Sequence, residues 1–139
     1  MTTIDSGVNK ILLIGIPLEY QSGMTTDLVS ENYTLVFSDS KEEAIKIIQA
    51  GELSAVIITS DLVFDDDVNQ DIVALTYGKI PTLTIVLEET FEKLGQGKIW
   101  EKVYNPDALQ EFCTAPFSME ELIPRLRKII KKATKASQQ

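Results

Sequence analysis

The chain has 139 residues, 44% of them apolar and 24% charged, a balance typical of one compact domain. One cysteine and no histidine exclude disulfide scaffolds, Cys/His zinc sites and catalytic Ser-His or Cys-His pairs. All 21 acidic residues lie in 1–124, and this acidic body excludes general binding to nucleic acid, whose phosphates it would repel.

Five short apolar segments have the length and composition of strands buried in a parallel sheet. They are residues 10–15, 33–37, 55–59 and 82–87, with a weaker fifth segment at 112–115 that Pro116 ends. The single cysteine, Cys113, lies in the fifth segment and is interpreted as a small core residue.

Two segments that follow these strands carry helix signals. Ser40 and Glu43 form a capping box, and Gly51 ends the apolar helical face that follows. Ser118 and Glu121 form a second capping box before another apolar face at helical spacing. Alternating strands and helices predict an α/β sandwich with right-handed crossovers.

The C-terminal helix is predicted to end in basic residues. Pro124 removes one hydrogen bond and should kink the first turns or delay the helix start. Six basic residues in 125–139 are interpreted as its last turns, with a tail that docks on an acidic partner as the alternative. We expect a domain over 9–133, with flexible termini at 1–8 and 134–139. No apolar run reaches the roughly 18 residues of a membrane span, so we expect a cytoplasmic protein that binds no membrane.

The C-terminal third carries a family resemblance. Residues 112–126 read FCTAPFSMEELIPRL, similar to the fifth strand and last helix of response-regulator receiver domains, where an aromatic, Lys-Pro-Phe and Ser-x-Glu-Glu-Leu-x-x-Arg recur. Residues 10–14, 33–48 and 54–59 resemble the earlier strands and second helix, so the likeness covers about 9–133. The resemblance implies a flavodoxin-like, doubly wound five-stranded parallel sheet in the order 2-1-3-4-5, with its site outside the carboxyl ends of the strands.

The phosphorylation chemistry of receivers implies specific groups. An aspartate accepts the phosphoryl group, carboxylates hold magnesium, and a lysine and a hydroxyl bind the phosphoryl oxygens. The matched positions here are Gly15 and Ile16 for the acidic pair, Thr59 for the acceptor, Val86 for the hydroxyl and Ala115 for the lysine. All five lack the required group, which resembles the pseudo-receiver subgroup. We therefore expect no metal, no cofactor and no enzyme activity, but a phosphorylation-independent module that binds proteins.

Three alternatives were weighed against this interpretation. Asp61 would point the same way as Thr59 if the third strand extends that far, and could replace the missing acceptor; a turn aspartate is the competing interpretation. An α/β sensor of a small ligand at the strand ends is the second. A phosphate loop over 15–25 is the third, and its glycine spacing is wrong, so a plain connection after the first strand is favoured.

An aromatic-rich stretch between the fourth and fifth strands predicts a partner face. In the resembled family this region and the last helix form the usual docking and dimer face. The candidate residues are Phe91, Trp100, Tyr104 and Phe112. We expect a protein partner, such as a signalling protein, or a second copy of the chain.

Overall fold

The computed structural model describes residues 9–59, 74–76, 79–86, 109–114 and 117–137. The elements in these ranges are β1 (Lys10–Ile14), α1 (Leu18–Ser30), β2 (Thr34–Ser38), α2 (Lys41–Ala50), β3 (Leu53–Thr59), α3 (Ala74–Thr76), β4 (Thr82–Val86), β5 (Gln110–Thr114) and α4 (Met119–Ser137). None of the described helices combines the length and hydropathy needed to cross a bilayer.

The strands form one five-stranded sheet in the order β2-β1-β3-β4-β5. Every neighbouring pair is parallel, and β1 lies between β2 and β3, with Leu12 beside Val36 of β2 and Val56 of β3. This is the flavodoxin-like order that the resemblance implies, so the predicted fold class is confirmed. The strand boundaries differ slightly, because β5 begins at Gln110 rather than at residue 112.

The side chains of successive residues of β1 point to opposite faces of the sheet, as strand geometry requires. Ile11 and Leu13 belong to one apolar cluster, which includes residues of α1 and α4. Leu12 and Ile14 belong to a second cluster, which includes residues of α2. Both faces of β1 are therefore buried, which explains its continuous aliphatic sequence.

The predicted helix caps are present. The hydroxyl of Ser40 accepts a hydrogen bond of 3.1 Å from the backbone N–H of Glu43, and α2 starts at the next residue. Gly51 ends α2 with a φ of 81°, in the left-handed region that favours glycine. At the start of α4, the Ser118 hydroxyl accepts from the N–H of Glu121 at 3.3 Å.

Pro124 does not delay the start of α4, which begins at Met119 and contains the proline within its second turn. Helices tolerate proline best near their N-terminus, where few intrahelical hydrogen bonds are lost. The helix continues to Ser137, beyond the end of the predicted domain at residue 133.

The connection after β1 is shorter than predicted. Residues 15–25 were expected to form a plain connection, but α1 begins at Leu18 and leaves only residues 15–17 outside the regular elements. The carbonyl oxygen of Pro17 accepts the first helical hydrogen bond, 2.9 Å from the N–H of Tyr20. Only Met24 and Leu28 of α1 are fully buried, so its sequence carries a weak apolar period.

Candidate functional site

The sheet brings two of the matched receiver positions together. Gly15 directly follows β1, and Thr59 is the last residue of the neighbouring strand β3. The Thr59 hydroxyl Oγ1 donates a hydrogen bond of 3.4 Å to the carbonyl oxygen of Gly15. The side chain is buried, with Thr59 only 2% exposed. At the matched acceptor position the protein therefore holds a buried hydroxyl that bonds to its own backbone.

Gly15 turns the chain away from β1. Its φ of 66° lies in the left-handed region, which glycine adopts at little cost. Its N–H donates to the carbonyl oxygen of Ser38 at 3.0 Å, so the turn is tied to the end of β2. With the hydroxyl of Thr59 on its carbonyl, Gly15 connects the ends of three neighbouring strands.

Ile16 fills the second matched position of the acidic pair with an aliphatic side chain. It is 4% exposed and belongs to the same core cluster as Met24 and Leu28 of α1. Its backbone carbonyl accepts a hydrogen bond of 2.9 Å from Nε2 of Gln21. The residue thus contributes to packing and to the start of α1, and it offers no ligand for a cation.

Two neutral hydroxyl groups at the carboxyl ends of the strands are engaged within the protein. The Ser38 hydroxyl donates to the carbonyl oxygen of Ser40 at 3.0 Å, as the Thr59 hydroxyl does to Gly15. Within the described ranges, no three Asp, Glu, Cys or His side chains lie close enough together to hold a metal ion.

Of the two remaining matched receiver positions, Val86 and Ala115, the structure describes only Val86. Val86 ends β4 and stands in register with Thr114 of β5, which places the ends of these strands side by side. Ala115 and the alternative acceptor Asp61 lie outside the described residues.

Phe112 is the one member of the predicted partner face that lies in the described part of the chain. It is half-buried on β5, opposite Thr84 of β4. Phe91, Trp100 and Tyr104 lie outside the described residues.

Arg125 anchors α4 to β5, a role that sequence reasoning missed. Its Nη1 donates a hydrogen bond of 2.7 Å to the carbonyl oxygen of Phe112 and lies 3.4 Å from a carboxylate oxygen of Glu111. Its Nη2 pairs with Glu121, one helical turn earlier, at 3.3 Å. The four-residue spacing of Glu121 and Arg125 was the available sequence signal for this pair, but nothing local predicts the contact with β5.

Tyr20 and Phe117 form a second unpredicted contact. Their rings stack with centroids 5.0 Å apart and an angle of 29° between planes. This stack joins the first turn of α1 to the segment before α4.

Cys113 is part of the core, as predicted. It is 1% exposed and packs in the cluster between the sheet and helices α1 and α4. Burial raises the pKa of its thiol from 9.0 to about 11, although the positive charge of Arg125 opposes part of that rise. The thiol is therefore protonated near neutral pH and is a poor nucleophile.

Comparison with known proteins gives structural likeness without close sequence relatives. No family model matches the chain, and no curated protein matches it. A response regulator receiver protein from Sinorhizobium medicae is 16% identical, with a TM-score of 0.64 over 88% of this chain and 94% of that one.

Two further solved structures have a similar fold. The receiver domain of a sensor histidine kinase from Pseudomonas aeruginosa, which has a magnesium ion coordinated in its active site cleft, is 17% identical, with a TM-score of 0.65 over 88% of this chain and 98% of that one. An adenylate cyclase from Rhodopirellula baltica is 15% identical, with a TM-score of 0.71 over 94% of this chain and 93% of that one. Together with the strand order, these likenesses establish that the chain has the receiver fold.

Proposed function

We propose that this chain is a signalling module of the receiver family that acts by binding proteins, without phosphoryl transfer. The observation that carries the proposal is the hydrogen bond from Thr59 Oγ1 to the carbonyl oxygen of Gly15. It occupies the place where the resemblance puts the acceptor aspartate and its neighbouring acidic pair.

The chemistry of an acyl phosphate supports this proposal. An aspartyl phosphate forms only on a carboxylate, and its formation needs a cation held by further carboxylates. Thr59 carries a hydroxyl that is buried and bonded, and Gly15 and Ile16 carry no charge. The magnesium-bound cleft of the Pseudomonas aeruginosa domain is the contrasting case.

The packing of Ile16 supports a single conformation at the carboxyl ends of the strands. A switch needs two states of similar free energy that a ligand or a modification biases. Here the aliphatic side chain of Ile16 is part of the core, alongside Met24 and Leu28. We therefore propose that partners recognise one constant surface and that signalling depends on their binding.

Phosphate uptake is the first test. The full chain is incubated with acetyl phosphate and magnesium, beside an active receiver domain as the positive control, and intact mass is measured. We expect no added phosphoryl group on this chain. A mass gain that Asp61→Asn abolishes would instead establish the alternative acceptor.

A small-ligand sensor predicts a different result. Such a protein should unfold at a higher temperature in the presence of a nucleotide or another metabolite, because binding to the folded state stabilises it. We expect no shift in the melting temperature across a nucleotide panel.

Partner binding is tested by affinity capture from native cell extract. The double variant Trp100→Ala, Tyr104→Ala should lose the partner that the unaltered chain retains, because large aromatics dominate binding energy at interfaces. Leu18→Ala is the matched control, since Leu18 is 81% exposed at the start of α1 and lies outside the proposed face. Equal recovery by the double variant and the unaltered chain would exclude this face.

A further inference from the structure

The outer edge of the sheet is formed by β2, which has only β1 beside it. The N–H of Thr34 donates to the carbonyl oxygen of Asn9, and the carbonyl oxygen of Ser38 accepts from the turn after β1. Because backbone groups alternate in direction along a strand, the N–H and C=O groups of Leu35 and Phe37 point outwards. They make no hydrogen bond with any residue in the described ranges. Both residues therefore offer a backbone donor and an acceptor at the edge.

The sequence of β2 lacks the features that keep edge strands from pairing. Proteins protect such edges with charged side chains, proline or bulges. Residues 34–38 read TLVFS, without a charge or a proline, and they pair with β1 in an unbroken register. Leu35, Val36 and Phe37 are only half-buried. The edge therefore has the properties of a strand that pairs with another strand.

One side of α1 is exposed and uncharged. Leu18, Ser22, Thr25 and Val29 follow one another at helical spacing, and all four are exposed. Leu18 and Val29 are the exposed large hydrophobic residues of the described part of the chain, at 81% and 52%. The Thr25 hydroxyl already donates to the carbonyl oxygen of Gln21 at 2.7 Å, so its burial would leave no donor unpaired. We call these four residues the α1 stripe.

The α1 stripe lies on the side of the helix that faces the edge of β2. Asp27, Ser30 and Glu31 line a groove between α1 and α4, and helical geometry places the stripe about 180° around the helix from them. Because α4 is bonded to β5 at the far end of the sheet, the side of α1 opposite the groove faces β2. The helix itself packs over Leu35 and Phe37, which contact the cluster of its buried residues. The stripe and the open strand edge therefore form one surface.

We propose that the edge of β2 and the α1 stripe form the interface of a two-fold symmetric homodimer, in which the two β2 strands pair antiparallel and continue the sheet. A two-fold interface must be complementary to itself, because the same residues contribute from both copies. An axis beside Val36 places Leu35 of each copy opposite Phe37 of the other. The outward backbone groups of these residues then face each other, so each pair exchanges both N–H···O bonds. The side chains of each pair, one aliphatic and one aromatic, are also a favourable cross-strand combination.

The same axis brings the two α1 helices together on one face of the sheet. Neighbouring strands lie about 4.8 Å apart, so helices that each cover β1 and β2 would lie about 10 Å apart, close to the distance at which helices pack. The two helices are antiparallel, and the α1 stripe of each copy faces that of the other. Leu18 of each copy then lies near Val29 of the other, and Ser22 lies near Thr25. Strand pairing and helix packing therefore require the same axis.

A second copy fits this surface better than other occupants do. A single extended segment of another protein would pair with Leu35 and Phe37 but would leave the α1 stripe exposed, whereas a second copy covers both. Neither β2 nor the stripe contains a basic residue, so nothing there attracts the phosphates of a nucleic acid or of an anionic membrane. The interface does not rest on the proposed function, because its residues belong neither to the matched phosphorylation positions nor to the predicted partner face.

Sedimentation equilibrium of the full chain, over roughly 10–500 µM, tests the association and should show a dimer. Each copy carries a net charge of −8 and the interface carries none, so added salt should strengthen the dimer by screening the repulsion between copies. Thr25→Lys places two like charges near the axis and should raise the dimer Kd by about tenfold or more. Ser30→Lys is the matched control, because it introduces the same side chain at another exposed hydroxyl residue of α1, in the groove beside α4, and should leave the Kd unchanged.

Cross-linking tests the strand register. Val36→Cys places two thiols in a non-hydrogen-bonded pair, where Cα atoms lie about 4.5 Å apart and a disulfide can form. Mild oxidation should therefore give a covalent dimer of this variant. Thr34→Cys is the control, because position 34 is exposed on the same strand but lies roughly 13 Å along the strands from its symmetry mate, beyond the reach of a disulfide. Cys113 is 1% exposed and is present in both variants.

Three results would overturn the proposal. A monomer at all concentrations would leave the edge of β2 to an extended segment of another protein. A dimer that Ser30→Lys disrupts and Thr25→Lys does not would place the contact in the groove beside α4. Equal cross-linking of Val36→Cys and Thr34→Cys would contradict the antiparallel register.

Discussion

The Thr59 hydroxyl lies 3.4 Å from the carbonyl oxygen of Gly15 and joins two residues that are 44 positions apart in the chain. The hydrogen bond lies at the carboxyl ends of β1 and β3, and both its donor and its acceptor are neutral. A carboxylate at position 59 would meet that carbonyl oxygen as a second acceptor, without a proton to share.

Thr59→Asp should therefore destabilise the fold. We expect a loss of about 2–4 kcal/mol in the free energy of unfolding at pH 7, because a buried carboxylate lacks a donor there. The loss should shrink near pH 4, where the new carboxyl is protonated in the folded state. Urea denaturation at both pH values measures this. Thr59→Val is the control and should cost only about 0.5–1.5 kcal/mol, since it loses one hydrogen bond without adding charge.

The cap of α2 predicts a local stability change. Ser40→Ala removes the acceptor for the Glu43 N–H and should lower the free energy of unfolding by about 1 kcal/mol. Ser40→Asp keeps an acceptor at the same position and should retain most of the stability. The urea midpoints of the three proteins measure this, provided that the slopes of their unfolding transitions are equal. Equal midpoints for Ser40→Ala and the unaltered chain would contradict a stabilising role of the Ser40 cap.

Removal of the Arg125 side chain should destabilise the fold more than its partial exposure suggests. Arg125→Ala removes the charged donor to the carbonyl oxygen of Phe112 and should cost about 1–2 kcal/mol. The ion pairs with Glu111 and Glu121 are partly exposed and should add little. Glu121→Ala, which removes one of these pairs and leaves the donor in place, is the matched control and should change the thermal midpoint much less.

The burial of Cys113 predicts that the free energy of unfolding depends on pH in the alkaline range. Its pKa rises from 9.0 to about 11 on folding, so the folded state binds the thiol proton more tightly. The resulting stability, about 2–3 kcal/mol, is fully present below pH 9 and is lost as pH rises towards 11.

Comparison with Cys113→Ala isolates this contribution, because Tyr33, whose pKa burial also raises, titrates in both proteins. The free energy of unfolding of the unaltered chain should fall more steeply between pH 9 and 11 than that of the variant. Parallel curves would show that the thiol titrates alike in the folded and unfolded states.

Local patterns in the sequence predicted much of the architecture. The apolar run at 10–15 indicated a strand buried on both faces, and β1 is an interior strand of the sheet, between β2 and β3. Ser40 and Gly51 marked the two ends of α2, because capping depends on residues a few positions apart. The receiver-like segments in the sequence implied the strand order, which the structure confirms.

Other features depended on contacts between distant parts of the chain. The polar sequence of α1 hid its helical period, since only Met24 and Leu28 of this helix are fully buried once the sheet is formed. No local pattern predicts that Arg125 reaches the carbonyl oxygen of Phe112.

Sequence alone determined which chemical groups stand at positions 15, 16 and 59, and therefore that none of them carries a charge. Tertiary structure decided what those groups do: Ile16 packs into the core, and the Thr59 hydroxyl bonds to Gly15. The physical reason is that residue identity sets the chemistry available at a position, whereas burial and hydrogen-bond partners arise only when separate strands and helices pack together.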